Sequence, residues 1–196
     1  MTAARRFHGW PGVARIALAA TLIAAPAIAG GTGVDVTTDA AVKAALLFNF
    51  AKFVEWPALP AGAPIVVCFV GSDGIAAAFV ETVRGQNIAG HGLDAWVLQD
   101  SAKWRTCHML FIADAETRAS TAALAEINPL PVLTVSDGKG FSLAGGIIEL
   151  YVEGGRMRFA INLDAADRSG LRLSSRLLGL AKIGRASCRE RVCLLV

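Results

Sequence analysis

"PIVVCFVGSDGIAAAFVETVRG", residues 64–85, sets the fold class. Pro64 to Gly71 is an unbroken apolar run closing on a glycine, the pattern of a strand buried on both faces. Ser72 or Asp73 can then cap a helix, and Gly85 closes it. A strand with no polar face must be covered on both sides, and the helix that follows it supplies cover, so the stretch reads as the first unit of an α/β sheet.

Working outward, "LDAWVLQ" (93–99) is a second strand, alternating and less apolar, and "CHMLFIAD" (107–114) is a third buried strand. A helix from about Glu116 to Ile127 and a fourth strand, "PVLTVSD" (131–137), follow. Upstream, Thr37, Thr38 and Asp39 can cap a helix running from about Asp39 to Glu55, which Pro57 stops. Downstream, "GIIELYVEGGRMRFAIN" (146–162) holds two strand-like runs joined at "EGG", an antiparallel hairpin signal. Asp164 opens a short helix, Gly170 interrupts it, and a second helix follows. The expectation is a single α/β domain: a mixed, mostly parallel sheet with helices on both faces and a C-terminal antiparallel hairpin.

The two ends read differently from this middle. Arg5, Arg6 and Arg15 precede an apolar run from Ile16 to Ala25, and Pro26 leads into Ala27-Ile28-Ala29. That pattern predicts a secretory signal over residues 1–29. The run is about half the roughly 20 apolar residues of a membrane-spanning helix. No cysteine follows the cleavage site to take a lipid, so the mature chain is expected to be exported. "GRASCRERVCLLV" (184–196) breaks the pattern and resembles read-through vector or adapter sequence, the alternative being a genuine C-terminal strand or tail.

These ends decide what the charge means. The whole chain carries +3, but residues 30–183 hold 13 basic and 15 acidic side chains. The basic excess lies in the two ends, so no nucleic-acid footprint remains. Residues 30–183 are enough for one domain that buries roughly 70% of its unfolded surface.

The search for chemistry is short. Between residues 30 and 183 there are two histidines, His91 in a glycine-flanked loop and His108 in an expected strand, where a lone histidine reads as a satisfied core residue. No HExxH, CxxC, GxSxG or P-loop is present. The "VGSDG" turn (70–74) can aim backbone N–H groups at an anion but lacks the spacing of a dinucleotide fingerprint. Ser174 and Ser175 have no base nearby in sequence. These residues make no catalytic set, and no cofactor or metal is expected.

Cys68 and Cys107 fall in the first and third strands, which are neighbours in a flavodoxin-like order 2-1-3-4. Export would favour a structural disulfide between them, while two free core thiols are the other reading.

The first helix poses a separate question. If Val42, Leu46, Asn49, Phe53 and Trp56 face the sheet, then Leu47, Phe48 and Val54 form a second apolar side. That side is either covered by a neighbouring helix or, with Ile147, Leu150 and Phe159 of the hairpin, offers a surface to a partner or to a second copy.

Seven blocks, "VKAALLFNFAKFVEWP", "VVCFVG", "CHMLFIA", "VLTVSD", "GGIIEL" and the two halves of "RFAINLDAADRSGLRLSSRLLGLAK", occur in the order found in the YfiR-like periplasmic proteins. The resemblance covers about residues 39–183. It implies an exported, non-enzymatic α/β regulator that binds the periplasmic domain of an inner-membrane diguanylate cyclase and represses cyclic-di-GMP synthesis. It further implies relief by an OmpA-like outer-membrane lipoprotein. Cys68 and Cys107 match the family's inter-strand disulfide, while its second cysteine pair has no counterpart near "SLAGGIIEL". The alternative from the residues alone is a periplasmic small-ligand sensor or binding domain using the "VGSDG" turn and the crevice at the strand ends.

Overall fold

The computed structural model describes residues 36–57, 59–99, 101–114, 124–125, 127 and 129–184. The chain enters through helix α1 (Val36–Phe53) and passes directly into a two-residue strand, β1 (Val54–Glu55). Strand β2 (Ile65–Val70) is buried along its whole length, helix α2 (Asp73–Val83) follows, and β3 (Leu93–Val97) and β4 (Met109–Ile112) pair in parallel on either side of β2. Strands β5 (Leu133–Ser136) and β6 (Ile148–Glu153) extend the parallel set. Strand β7 (Arg156–Asn162) returns antiparallel to β6. Gly154 and Gly155 of the hairpin turn have φ of 58° and 73°, the left-handed conformation at both central positions that a tight two-residue hairpin requires.

Helix α3 (Leu163–Arg168), strand β8 (Arg172–Leu173), helix α4 (Ser175–Leu178) and strand β9 (Lys182–Gly184) complete the described fold. The main sheet has the order β3-β2-β4-β5-β6-β7-β9, and β1 pairs with β8 in a separate two-stranded ribbon. The first four strands adopt the expected 2-1-3-4 arrangement, and the mixed, mostly parallel sheet ends in the expected hairpin. Two pairings were not foreseen. β8 has two residues and β9 three, too few to set up an alternating pattern.

Period-two alternation divides the core. Ile65, Val67, Phe69, Met109, Phe111, Leu133, Val135, Ile148, Leu150 and Ile161 share a core with α1, α2 and α3. Val66, Cys68, Val70, Leu110 and Ile112 face the other way, toward Trp104, Leu124, Ile127 and Phe141. Trp104 belongs to a 3-10 turn (Ser101–Thr106). Leu124, Ala125 and Ile127 are helical, whereas residues 116–123 and 126 of the expected helix lie outside the described residues.

Helix α1 is rotated from the sequence expectation. Ala44, Leu47, Phe50, Ala51 and the following Val54 are buried, while Asn49 is exposed and Val42 is 40% exposed. The spacing 44, 47, 51, 54 is a helical stripe, and its two alanines allow a close approach to the core. The Phe50 ring then meets Phe159 edge-on at 5.0 Å, an arrangement worth about 0.5–1.5 kcal/mol beyond area burial. The bulkier Leu46, Phe48, Phe53 and Trp56 sit half-buried along the flanks. The far flank is closed by the C-terminal segment: β8 pairs with β1, and the Ser174 N–H donates to the Phe53 carbonyl at 2.9 Å. The Trp56 indole N–H folds back onto the Ala51 carbonyl at 3.0 Å.

Cys68 of β2 and Cys107, two residues before β4, form a disulfide across 39 residues. On the chain-entropy model a loop of that size contributes about 4 kcal/mol. Replacing both with alanine is therefore expected to lower unfolding free energy by about 2–4 kcal/mol in urea titration. In protein made in an oxidising compartment with Cys188→Ser and Cys193→Ser, and denatured without reductant, thiol counting is expected to find none; two reactive thiols would refute the bond.

Candidate functional site

The end of the sheet beyond β5 is built around one carboxylate. Glu149 accepts hydrogen bonds from the backbone N–H groups of Gly140 and Ser142, each at 3.0 Å, and from the Ser142 hydroxyl at 2.7 Å. These bonds hold the connection between β5 and β6 over the face of the sheet that carries Glu149. Phe141, at the loop's centre, is buried against the second-face core. Its ring lies where a side chain at Gly146 would be: a Cβ there would come within 2.1 Å of the Phe141 ring. Glycine at 146 is thus required by contact.

Asn162 secures the other side. It is 1% exposed, its side-chain N–H donates to the Ser142 carbonyl at 2.7 Å, and its Oδ1 accepts from the Ala165 N–H at 3.0 Å, capping α3. One amide therefore joins the end of β7, the start of α3 and the loop.

Between this loop and β6, β7 and β9 lies an open groove of about 700 Å³. Leu143, Val152 and Ile183 line it and are 78%, 67% and 50% exposed. Its polar lining includes Lys139, Tyr151 and Lys182. Asp137 at its inner end is already engaged. The carboxylate takes Lys43 Nζ at 2.6 Å and the Asp114 N–H at 2.8 Å, and Asp39 approaches the same ammonium at 2.7 Å. Burial pulls the Lys43 pKa down, but the hydrogen bonds from Asp137 and Asp39 outweigh it and the net shift is upward.

The sequence had placed partner contacts elsewhere. Leu47, Val54, Ile147, Leu150 and Phe159 are all buried in the domain's own core, which corrects the expectation that Leu47 and Val54 face outward. A side chain without accessible surface cannot present a contact, and the covering element is the core itself together with the β1–β8 ribbon. Phe48 is half-buried beside the core, with Lys52 Nζ 5.3 Å from its ring centre. Leu143, Tyr151, Val152 and Lys182 were not singled out. The exposed leucine in a glycine-rich loop was the available signal.

The expected chemistry residues stay apart. Ser72 precedes α2 without a side-chain capping bond, and among the described residues no group of three histidines, cysteines or carboxylates could hold a metal. His108 Nδ1 accepts the Val66 N–H at 2.9 Å, and the His108 backbone N–H donates to the Val66 carbonyl at 2.9 Å. It bridges β2 and the start of β4 as a structural residue, half-buried against the Trp56 ring. His91 instead meets the Ala63 carbonyl at 2.7 Å.

A family model described as YfiR/HmsC-like matches residues 40–182. The chain belongs to that family, whose members act in general as periplasmic regulators of cyclic-di-GMP signalling and not as enzymes. No helix among the described residues is long and apolar enough to cross a membrane.

Two outcomes follow from this geometry. Gly146→Ala is expected to lower stability by about 1–3 kcal/mol, read by urea titration, because Phe141 must leave its pocket. The second concerns His108, whose pKa is lowered first by burial and then by the charge of His91. The folded state thus resists a proton that the unfolded chain accepts near pH 6.5, so stability falls as pH drops below about 6.5. His108→Asn, which keeps an acceptor for the Val66 N–H, is expected to flatten that loss in melts between pH 7 and 5.

Proposed function

We propose that this YfiR/HmsC-like protein is a non-enzymatic repressor. It binds the periplasmic domain of an inner-membrane diguanylate cyclase and lowers cyclic-di-GMP synthesis, and an OmpA-like outer-membrane lipoprotein relieves it by sequestration. The reading includes export through a signal in residues 1–29 and a tail over residues 184–196 that plays no part in binding. The observation that carries it is the groove: Leu143, Val152 and Ile183 are exposed around one concavity with a basic rim. An apolar cluster of this kind on a folded domain marks an interaction surface. A protein partner fits better than a small ligand, because the groove is open along its length and Leu143 at its rim is 78% exposed.

The test uses substitutions at exposed positions, which leave the fold alone. Leu143→Asp and Ile183→Asp are expected to change unfolding free energy by less than about 0.5 kcal/mol while weakening the cyclase's periplasmic domain at least tenfold in calorimetry, about 1.4 kcal/mol. In cells they should raise cyclic-di-GMP. Unchanged affinity in both variants would remove the groove from the interface. A wild-type protein that binds no cyclase domain would overturn the repressor reading.

A further inference from the structure

Strand β3 ends the sheet on the side away from the groove, with β2 beside it and no strand beyond. Two hydrogen bonds fix which of its backbone groups face out. The Ile65 N–H donates to the Gly92 carbonyl and the Leu98 N–H to the Phe69 carbonyl, each at 2.8 Å. Successive residues of a strand turn their N–H and C=O to opposite sides, so Asp94 and Trp96 also bond β2. Leu93, Ala95 and Val97 turn theirs outward, where no neighbour takes them among the described residues.

The usual protection of such an edge is missing. Proteins guard free edges with lysine, proline, bulges or a covering element. Leu93–Val97 contains no lysine or proline, its register on β2 runs without a bulge, and Trp96 and Val97 are 44% and 49% exposed. Asp94 is its one charge. Strand β9, at the opposite edge, is three residues long and carries Lys182.

The β3 edge also fits itself. Leu93 and Ala95 pack on the side of α1 and α2, and Val97 shares their face by period two. Between this face and α2 lies an open cleft of about 430 Å³ lined by Val80, Val83, Leu93 and Ala95, whose polar lining includes Arg84 and Gln86. Val80 is 46% exposed. A two-fold axis through Ala95 places Leu93 opposite Val97 of a second copy, so the exposed valine of each enters the cleft of the other. The same axis brings the three outward-facing residues of each strand into hydrogen-bonding register, about six main-chain bonds in all. On the other face Asp94 falls opposite Trp96, so no like charges meet directly. Ala95, small enough to stand against its own copy, occupies the axis.

We propose that two copies of this chain join through their β3 edges, antiparallel about Ala95, into one continuous sheet. The occupant of the edge is a second copy because the projecting valine and the cleft that receives it belong to the same strand, in the register that the backbone bonds require. A two-fold contact is self-complementary in this way. The pairing is independent of the repressor reading, since the groove beside β6 lies toward the other end of the sheet and stays open in both copies.

The test uses the chain with Cys188→Ser and Cys193→Ser, made in an oxidising compartment, which keeps only the Cys68–Cys107 pair. Sedimentation velocity is expected to show a concentration-dependent dimer at micromolar protein. Val97→Lys puts a charge where the valine enters the cleft, and Ala95→Pro removes an outward N–H while leaving the bonds to β2. Each is expected to weaken the dimer at least tenfold with unchanged far-UV circular dichroism. Ala95→Cys should form a disulfide-linked dimer under mild oxidation, because a hydrogen-bonded antiparallel pair holds its Cα atoms about 5.5 Å apart, within disulfide reach. Val152→Cys, on the exposed hairpin at the far end of the sheet, is expected not to crosslink, and Leu143→Asp in the groove should leave the dimer intact. A chain that stays monomeric throughout the micromolar range overturns the pairing. So does a dimer that survives Val97→Lys, or one that Val152→Cys crosslinks and Ala95→Cys does not. If Ala95→Pro fails to fold, Val97→Lys and the Ala95→Cys crosslink decide the matter.

Discussion

Strand β6 is registered on β5 only through Ile148 and Glu149, and the C-terminal end of the sheet is arranged around that offset. Parallel neighbours normally need a crossover of a dozen or more residues, because the chain must travel back along the strand before starting the next. Here β6 starts where β5 ends, so residues 137–147 have almost no return distance to cover and no helix is needed. The loop folds down onto the sheet, and Glu149, the last residue in register with β5, receives its backbone N–H groups. The same offset pushes the rest of β6 past the sheet. The groove is what lies between a loop that stays and a strand that continues.

The C-terminal layer depends on that arrangement from the opposite face. Once β7 has paired with β6, Asn162 ends the strand, caps α3 and ties back to the loop. Gly170, with φ of 66°, lets the chain turn after α3, so that β8 reaches β1 and closes the flank of α1. A helix with aromatic residues on several sides is thereby buried by three different neighbours: the sheet, α2 and the β1–β8 ribbon. Its excess of apolar surface answers to the number of neighbours around it. A second protein is not required to explain it.

Residues whose surroundings are local were readable from the sequence. "PIVVCFVG" with its following helix gave the parallel sheet, and "EGG" gave a hairpin whose two glycines both take positive φ. Strand adjacency was enough to bring Cys68 and Cys107 together. The face of α1 was misread because large residues were assigned inward, whereas Ala44 and Ala51 set the depth of approach. The groove was missed for a different reason. Val152 and Leu150 belong to one strand and one face, yet one is 67% exposed and the other 1%; only the ending of β5 and the span of the core separate them, and neither is encoded near β6. Lys182 reaches the groove through a three-residue strand with no pattern of its own.

The sheet thus divides its work along its width. Its buried half is β2, β4 and β5, whose strands are buried throughout and whose first pair is spanned by the Cys68–Cys107 disulfide beside Trp104. That half supplies the burial and the loop constraint from which a domain of this size draws its margin. The other half carries exposed apolar side chains and an incomplete edge, features that weaken a free-standing hairpin. They are tolerated because β7 is held on both sides, by β6 and by β9, and because Phe159 and Ile161 anchor it in the shared core. An interaction surface at this end can be altered by exposed substitutions without loss of the fold, since the residues that define it are not those that stabilise it.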